Sequence, residues 1–306
     1  MDEFELIRRF FSRPAGAPGI ITGVGDDGAV IRPEPGREQV QVIDTLVEGV
    51  HFPTDISAAD IGYRAVAVNL SDIAAMGAVP RYMTLALTLP QRDQQWVADF
   101  ADGLYAAASE FDVALIGGDT TNGSQLVATV HITGDVETGQ ALLRSGARVG
   151  DTIFVTGTPG DAAAGLLLLT RGEHNVYLVE RFLRPSARVE TGRRLLGRAS
   201  ATIDVSDGLA GDLGKLLQAS GVGGTLDIDR IPVSTAMQAC FDEAERHRLA
   251  VTGGDDYELC FTARPADVEG IDGVTAIGTV EEGSGLRIRN RGVVVEYDDS
   301  GYRHSL

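Results

Sequence analysis

Six short segments of the chain place aspartate beside glycine, serine or threonine. They are Gly25-Asp26-Asp27-Gly28, Ile43-Asp44-Thr45, Leu70-Ser71-Asp72, Gly117-Gly118-Asp119-Thr120-Thr121, Asp204-Val205-Ser206-Asp207-Gly208 and Gly253-Gly254-Asp255-Asp256-Tyr257-Glu258. Small residues let the backbone turn sharply and let a bulky anion approach, while carboxylates are hard oxygen donors. Acids gathered in one pocket raise one another's pKa, and divalent cations resolve that conflict. Mg²⁺ usually arrives with substrate phosphates. The pattern points to a magnesium-dependent phosphate site.

Each segment also has a plainer reading. Asp26-Asp27 between glycines suits an ordinary turn, and Asp44 could simply cap the end of its strand. Asp72 lies in an apolar helix, VAVNLSDIAAMGA, where a carboxylate is costly unless it is paired or ligates a metal. Gly117-Gly118 after a buried strand would turn backbone N–H groups toward a phosphate whose cation Asp119 holds, or would form a simple strand-to-helix turn. Ser206 and Asp207 precede a helix, where dipole and hydroxyl suit phosphate and Asp204 with Asp207 suits metal; either could instead only cap that helix. Asp255 and Asp256 could merely shape a turn. His51 could contact a phosphate or an aromatic ligand, and Arg144 could reach a phosphate from a turn, although both residue types are usually structural.

Composition narrows the classes. The chain has 306 residues, 43% of them apolar, with 38 glycines and a net charge of −18. Nucleic acid, anionic membrane surfaces and bare polyphosphates should be repelled, so a phosphorylated substrate would need metal intermediaries; the acidic excess could equally serve only solubility or reflect a salty habitat. Lys215 is the only lysine among twenty-five arginines, and Gly214-Lys215-Leu216 lacks the Ser/Thr of a Walker A loop, which excludes a P-loop NTPase. Cys240 and Cys260 are too few for a disulfide framework, and a reduced, cytoplasmic setting is expected. The charged start is no signal peptide, and no apolar stretch approaches the roughly 18 residues of a membrane span. No G-x-S-x-G or H-E-x-x-H motif is present.

The elements that must position these acids follow from periodicity. Met1 to Phe11 reads as an amphipathic helix, and Val40 to Leu46 as a strand carrying Asp44 near its end. Ser57 with Asp60 forms a capping box that opens a helix to about Met76, with Asn69 and Asp72 on one face. Met83 to Leu89 is a strand, Asp93 caps a helix to about Phe111, and Val113 to Ile116 is a buried strand ending at Gly117. Leu126 to Thr133 is a further strand. Thr152 to Thr156 begins a second set, with helices near 160–171, 176–182 and 186–199. The strand Ala201 to Val205 then feeds a helix from Gly208 to Ser220. Thr225 to Ile231, Glu258 to Thr262 and Leu286 to Ile288 alternate as half-buried strands. The expected class is α/β or α+β in two lobes, near 1–145 and 146–306.

The segments in order, GVGDDGAV, DTLVEGVHF, AVNLSDIAAMGAVP, LIGGDTTNG, VTGTPGDAAAGL, IDVSDGL and GGDDYELCFT, span nearly the full length. This series resembles the ATP-binding superfamily of thiamine-monophosphate kinase, aminoimidazole-ribonucleotide synthetase, selenophosphate synthetase and the hydrogenase-maturation carbamoyl dehydratase, and is closest to the first. The resemblance implies a two-lobed protomer whose N-terminal lobe carries a mixed sheet that joins across a homodimer. It also implies phosphorylation of thiamine monophosphate to thiamine diphosphate by ATP with several Mg²⁺ ions, the last step of thiamine diphosphate biosynthesis. Two phosphate charges about 4 Å apart repel by about 4 kcal/mol at an effective dielectric of about 20, which bridging metals relieve.

Position by position, the resemblance makes Asp27, Asp44, Asp72, Asp119, Asp204 and Asp207 metal ligands. Gly118, Asp119, Arg144 and Ser206 match nucleotide contacts, and His51 and Asp255 match substrate contacts. No general base is implied. Three departures stand out: Val42-Ile43 replaces a Ser-Thr pair, Asp255 replaces a glutamate, and the aromatic before the C-terminal Gly-Tyr is missing unless Tyr297 or Tyr302 substitutes. The alternatives are another ATP-dependent superfamily enzyme or a non-catalytic nucleotide or thiamine-phosphate binding protein. Selenophosphate synthetase needs an N-terminal Cys and the maturation enzyme a C-terminal one, and neither is found here.

Overall fold

The computed structural model describes residues 3–13, 17–90 and 93–296. The expected aromatic substitutes Tyr297 and Tyr302 lie outside them. Two compact units emerge, Met1–Ile73 with Ala78–Gly139, and Ala74–Gly77 with Gln140–Leu306.

In the first unit a short helix α1 (Glu3–Leu6) passes into a π-helical turn at Ile7–Phe11, and β1 (Ile20–Thr22) pairs with β2 (Val30–Ile31). The main elements are β3 (Arg37–Val47), α2 (Ala58–Ala75), β4 (Val79–Leu89), α3 (Gln94–Ser109), β5 (Ala114–Asn122) and β6 (Val127–Glu137). The capping signals act as expected: the Asp60 N–H donates to Ser57 Oγ at 3.1 Å, and the Trp96 N–H donates to Asp93 Oδ1 at 2.8 Å. The four strands lie in the order β3-β6-β4-β5. β6 alternates buried and half-buried residues, so one face of the sheet is covered and the other open. Val130 and Ile132 point to the covered face with Leu85 and Leu87, and Ile73 of α2 fills the space over Gly134.

The second unit holds β7 (Thr152–Thr156), α4 (Asp161–Arg171), α5 (Val176–Leu183), α6 (Val189–Arg194), β8 (Ala201–Val205), α7 (Leu209–Ser220) and β9 (Gly223–Asp227). It continues through α8 (Thr235–Cys240), α9 (Glu243–Thr252), β10 (Glu258–Ala263), β11 (Val274–Glu281), β12 (Gly285–Asn290) and β13 (Val293–Val294). Its seven-stranded sheet runs β13-β12-β9-β11-β7-β10-β8, with only β12 and β9 parallel. Ile153, Ile203, Val205, Leu213, Leu216 and Leu217 belong to one apolar core, and Leu168, Leu178, Met237 and Leu249 to another.

Two strand expectations are corrected. Thr225 to Ile231 is not one alternating strand, because β9 ends at Asp227 and a 3₁₀ turn follows at Ile228–Arg230. Glu258 to Thr262 is not half-buried: every residue of β10 is buried, since it pairs with β7 on one side and β8 on the other beneath packed helices. A central strand covered on both faces loses the period-two signal.

Candidate functional site

The second unit builds its acidic loop from a strand end. β8 delivers Asp204, which is buried, and the chain then turns through Ser206, Asp207 and Gly208 into α7. The plain capping reading fails there: Gly208 is the N-cap of α7 and makes no side-chain cap bond. Asp212, one turn into the helix, does the holding. Its Oδ2 accepts the Ser206 and Asp207 N–H groups, both at 2.9 Å. Its Oδ1 takes the Lys215 ammonium at 2.8 Å, and the same ammonium donates to Asp207 Oδ2 at 2.6 Å. Burial pushes the Asp212 carboxyl upward against these bonds. Burial likewise opposes the charge on Lys215, but Asp207 and Asp212 outweigh it and raise its pKa.

The loop bearing Asp255 is stitched to this turn. The Asp255 N–H donates to Ser206 O and the Tyr257 N–H to Val205 O, each at 2.8 Å. Gly254 lies so close that a Cβ there would stand 2.6 Å from Ser206 O. Asp255 and Tyr257 both have positive φ, +70° and +53°, and the Tyr257 hydroxyl donates to Asp255 Oδ1 at 3.3 Å. Two non-glycine residues are thus held in the left-handed region to aim one carboxylate.

Sequence reasoning missed what holds that loop. The Asp256 carboxylate accepts the Gly160 N–H at 2.6 Å and the Ala162 N–H at 3.2 Å, at the start of α4. Its burial is complete and drives the carboxyl up to about 8. Arg181 donates to the Asp256 carbonyl at 3.1 Å and to Glu258 Oε1 at 2.8 Å. Arg188 holds both Glu258 oxygens, at 2.6 and 2.5 Å, and Thr156 donates to Oε2. The only hint in the sequence was the density of acids in GGDDYE.

In the first unit the strand register decides which side chains share a face. Asp44 on β3 pairs with Val130, which pairs with Leu85, which pairs with Gly118. Asp119 pairs with Ala86, and Ala86 with Thr129, whose hydroxyl meets that of Thr45 at 2.8 Å. Neighbouring rows face opposite sides, so Asp44 lies on the covered face and Asp119 on the open one. The expectation that Gly117-Gly118-Asp119 closes a strand in a loop is corrected, because β5 runs on to Asn122 as an edge strand. After a register shift at Ile116 the glycines pair with Thr84 and Leu85 of β4, and a Cβ on Gly118 would stand 2.0 Å from Leu85 O. An edge strand keeps one row of backbone groups unpaired within the sheet.

Asp27 is exposed in its turn, where its N–H donates to Asp26 Oδ1 at 2.8 Å, and Asp72 is half-buried on α2. Asn69, expected on the same face, is buried and donates to Ala65 O at 3.1 Å. His51 closes a tight turn after β3, its Nδ1 accepting the Val47 N–H at 3.0 Å, so its neutral ring carries the proton on Nε2. Arg144 is exposed, and its carbonyl accepts the Ser220 hydroxyl at 3.1 Å.

Among the described residues no group of three or more His, Cys, Asp or Glu side chains stands ready to hold a metal. The donor set still suits Mg²⁺, which favours carboxylate and hydroxyl oxygens completed by water and phosphate rather than a closed protein cage. One observation supports that fit: the Asp207 carboxylate already lies against a cation, the Lys215 ammonium.

Residues 25–136 match the family described as AIR synthase related protein, N-terminal domain, and residues 148–290 match the corresponding C-terminal domain. The thiamine-monophosphate kinase of Salmonella typhimurium is 45% identical over 318 residues, covering 99% of this chain and 98% of that protein. That of Escherichia coli K12 is 43% identical with the same coverage. The crystal structure of the Stenotrophomonas maltophilia thiamine-monophosphate kinase superposes with a TM-score of 0.87 at 42% identity, covering 96% of this chain and 98% of the other. AaThiL complexed with AMPPCP and TMP superposes with a TM-score of 0.80 at 30% identity, covering 96% and 94%. Hydrogenase maturation protein HypE of E. coli, at 20% identity and a TM-score of 0.78, shares the fold. The chain belongs to the thiamine-monophosphate kinase family.

Proposed function

We propose that this chain transfers the γ-phosphoryl group of ATP to thiamine monophosphate, yielding thiamine diphosphate and ADP. The observation that carries the reading is the likeness, along nearly the whole chain, to thiamine-monophosphate kinases, including a structure holding AMPPCP and TMP. The site chemistry supports it. Phosphoryl transfer asks for positioning and charge neutralisation more than for a protein nucleophile.

Asp27, Asp44, Asp72, Asp119, Asp204 and Asp207 are assigned as ligands of several Mg²⁺ ions. Asp44 and Asp119 face opposite sides of their sheet, which favours more than one ion. Bound Mg²⁺ would neutralise phosphate charge and orient the reacting groups. Gly118 with the unpaired edge of β5, Asp119, Arg144 and Ser206 are assigned to the nucleotide. His51 would offer Nε2–H to the substrate, and Asp255 a fixed carboxylate. It reaches less far than a glutamate would, and the Tyr257 hydroxyl orients it.

A homodimer in which the first sheet joins that of a second copy belongs to this proposal, motivated by Ile43, which is 64% exposed on the edge strand β3. A cytoplasmic location fits two free cysteines, and no helix among the described residues is long and apolar enough to cross a membrane. Incubation with ATP, Mg²⁺ and thiamine monophosphate should yield thiamine diphosphate. Tight ligand binding without product, or ADP formed only with another acceptor, overturns the assignment.

A further inference from the structure

The chain's only lysine stands on α7, against the acidic loop of the second unit. Lys215 is three residues after Asp212 on α7, a spacing that puts both on one helix face. Its ammonium bridges Asp212 Oδ1 and Asp207 Oδ2. The two carboxylates do different work. Asp212 is almost fully buried and spends its other oxygen on the Ser206 and Asp207 N–H groups, so it fixes the backbone of the turn. Asp207 is about one-third exposed, and among the bonds described its carboxylate meets only Lys215.

The residue type matters. Arginine would grip the two carboxylates with a rigid fork, whereas lysine is a compact, strongly hydrated charge on a flexible stem. At 45% side-chain exposure the ammonium can release Asp207 into water while remaining tethered to Asp212. We propose that Lys215 is a built-in counter-cation: it holds the Asp207 carboxylate in place before ligands arrive and competes with the divalent cation for it. Lys215 is thus a positioning residue whose departure from Asp207 accompanies cation binding, while Asp212 keeps the turn unchanged. The inference rests on the assignment of Asp207 as a metal ligand.

Two measurements that do not depend on turnover test it. Because the chain has one lysine, selective ¹³Cε-lysine labelling gives a single side-chain NMR signal, which Mg²⁺ at saturation should shift in the wild type. Calorimetric Mg²⁺ titration of Lys215→Gln, which keeps a hydrogen-bond donor but removes the charge, should show roughly five- to tenfold tighter binding, since a competing positive charge is gone. Lys215→Arg should bind no more tightly than wild type. A lysine signal unmoved by saturating Mg²⁺, or equal or weaker Mg²⁺ binding by Lys215→Gln, overturns the inference. The NMR arm stands even if that variant fails to fold. Asp207→Asn separates the two levels: Mg²⁺ affinity unchanged there removes the metal role of Asp207 itself, whereas weakened affinity there beside a wild-type lysine signal that Mg²⁺ leaves unmoved removes only the counter-cation.

Discussion

Around their candidate site residues the two units place acidic side chains differently. In the second, Asp212 pins two backbone amides, Asp256 caps the start of α4, and Glu258 binds two guanidinium groups. In the first, Asp27 and Asp119 are exposed, one in a turn and the other on an edge strand. The contrast is between positions, not whole units: Asp212, Asp256 and Glu258 are committed to geometry, as Asp93 and the Arg37- and Arg81-paired Asp135 are in the first unit, whereas Asp27 and Asp119 present their charge. Preorganised donors cost no rearrangement when charge develops in a reaction, whereas exposed ones must be ordered by what they bind.

The sharpest way to break this contrast is to unlock the second unit. Glu258→Ala leaves Arg181 and Arg188 without their shared carboxylate, and removing one partner of a buried ionic group costs about 3–5 kcal/mol. Arg188 keeps a third of its side chain in solvent, so the lower end is expected, read from chemical denaturation. A cost under about 1 kcal/mol would show that this network does not hold the Asp255 loop.

Next in size is catalysis. Asp204→Asn and Asp207→Asn should each lower turnover at least about a hundredfold, equivalent to about 2.7 kcal/mol of barrier, with cooperative unfolding retained. For Asp207 the stability change should stay within about 1 kcal/mol, because its pair with Lys215 is partly solvated. Full activity in both variants sinks the metal assignment.

The parts of this arrangement differ in how legible they were in the sequence, and the reason is sequence separation. Asp204, Ser206 and Asp207 could be read because small residues between a strand and a helix carry a local signal. Asp212 and Lys215 follow within one helix, yet their service to Ser206 depends on the helix folding back over its own entry turn. Glu258 could not be assigned partners, since Arg181 and Arg188 lie 77 and 70 residues away. Gly117-Gly118 looked like a loop because glycine is a turn signal, and only pairing with β4 keeps it extended. The lengths of α2 and α3 were readable because their caps at Ser57 and Asp93 are local.

Asp256 tests the same lock through pH. With its folded carboxyl at about 8 and its unfolded value at 3.8, the native state holds a proton that the unfolded chain has released between those limits. Its contribution is complete below about pH 4, falls by up to about 1.4 kcal/mol per pH unit through the window, and is gone above 8. The Gly160 and Ala162 amides and Arg181 favour the charged form and pull against burial, so together they set the upper edge of that window. Unfolding free energies measured from pH 5 to 9 should fall for wild type and lose this component in Asp256→Asn. Parallel profiles would place the proton elsewhere.

The smallest effect belongs to the first unit and sharpens the comparison most directly. Asp119 is exposed on the open face of an edge strand, beside Ala86 in register. Replacing it by asparagine keeps the shape and should alter unfolding free energy by no more than about 0.5 kcal/mol, as for surface positions generally. The same variant should still lower turnover sharply, because the charge is offered to ligands rather than to the fold. Stability and activity would then separate at Asp119, while at Glu258 they fall together. A destabilisation at Asp119 comparable to that at Glu258 would mean that Asp119, too, is spent on structure.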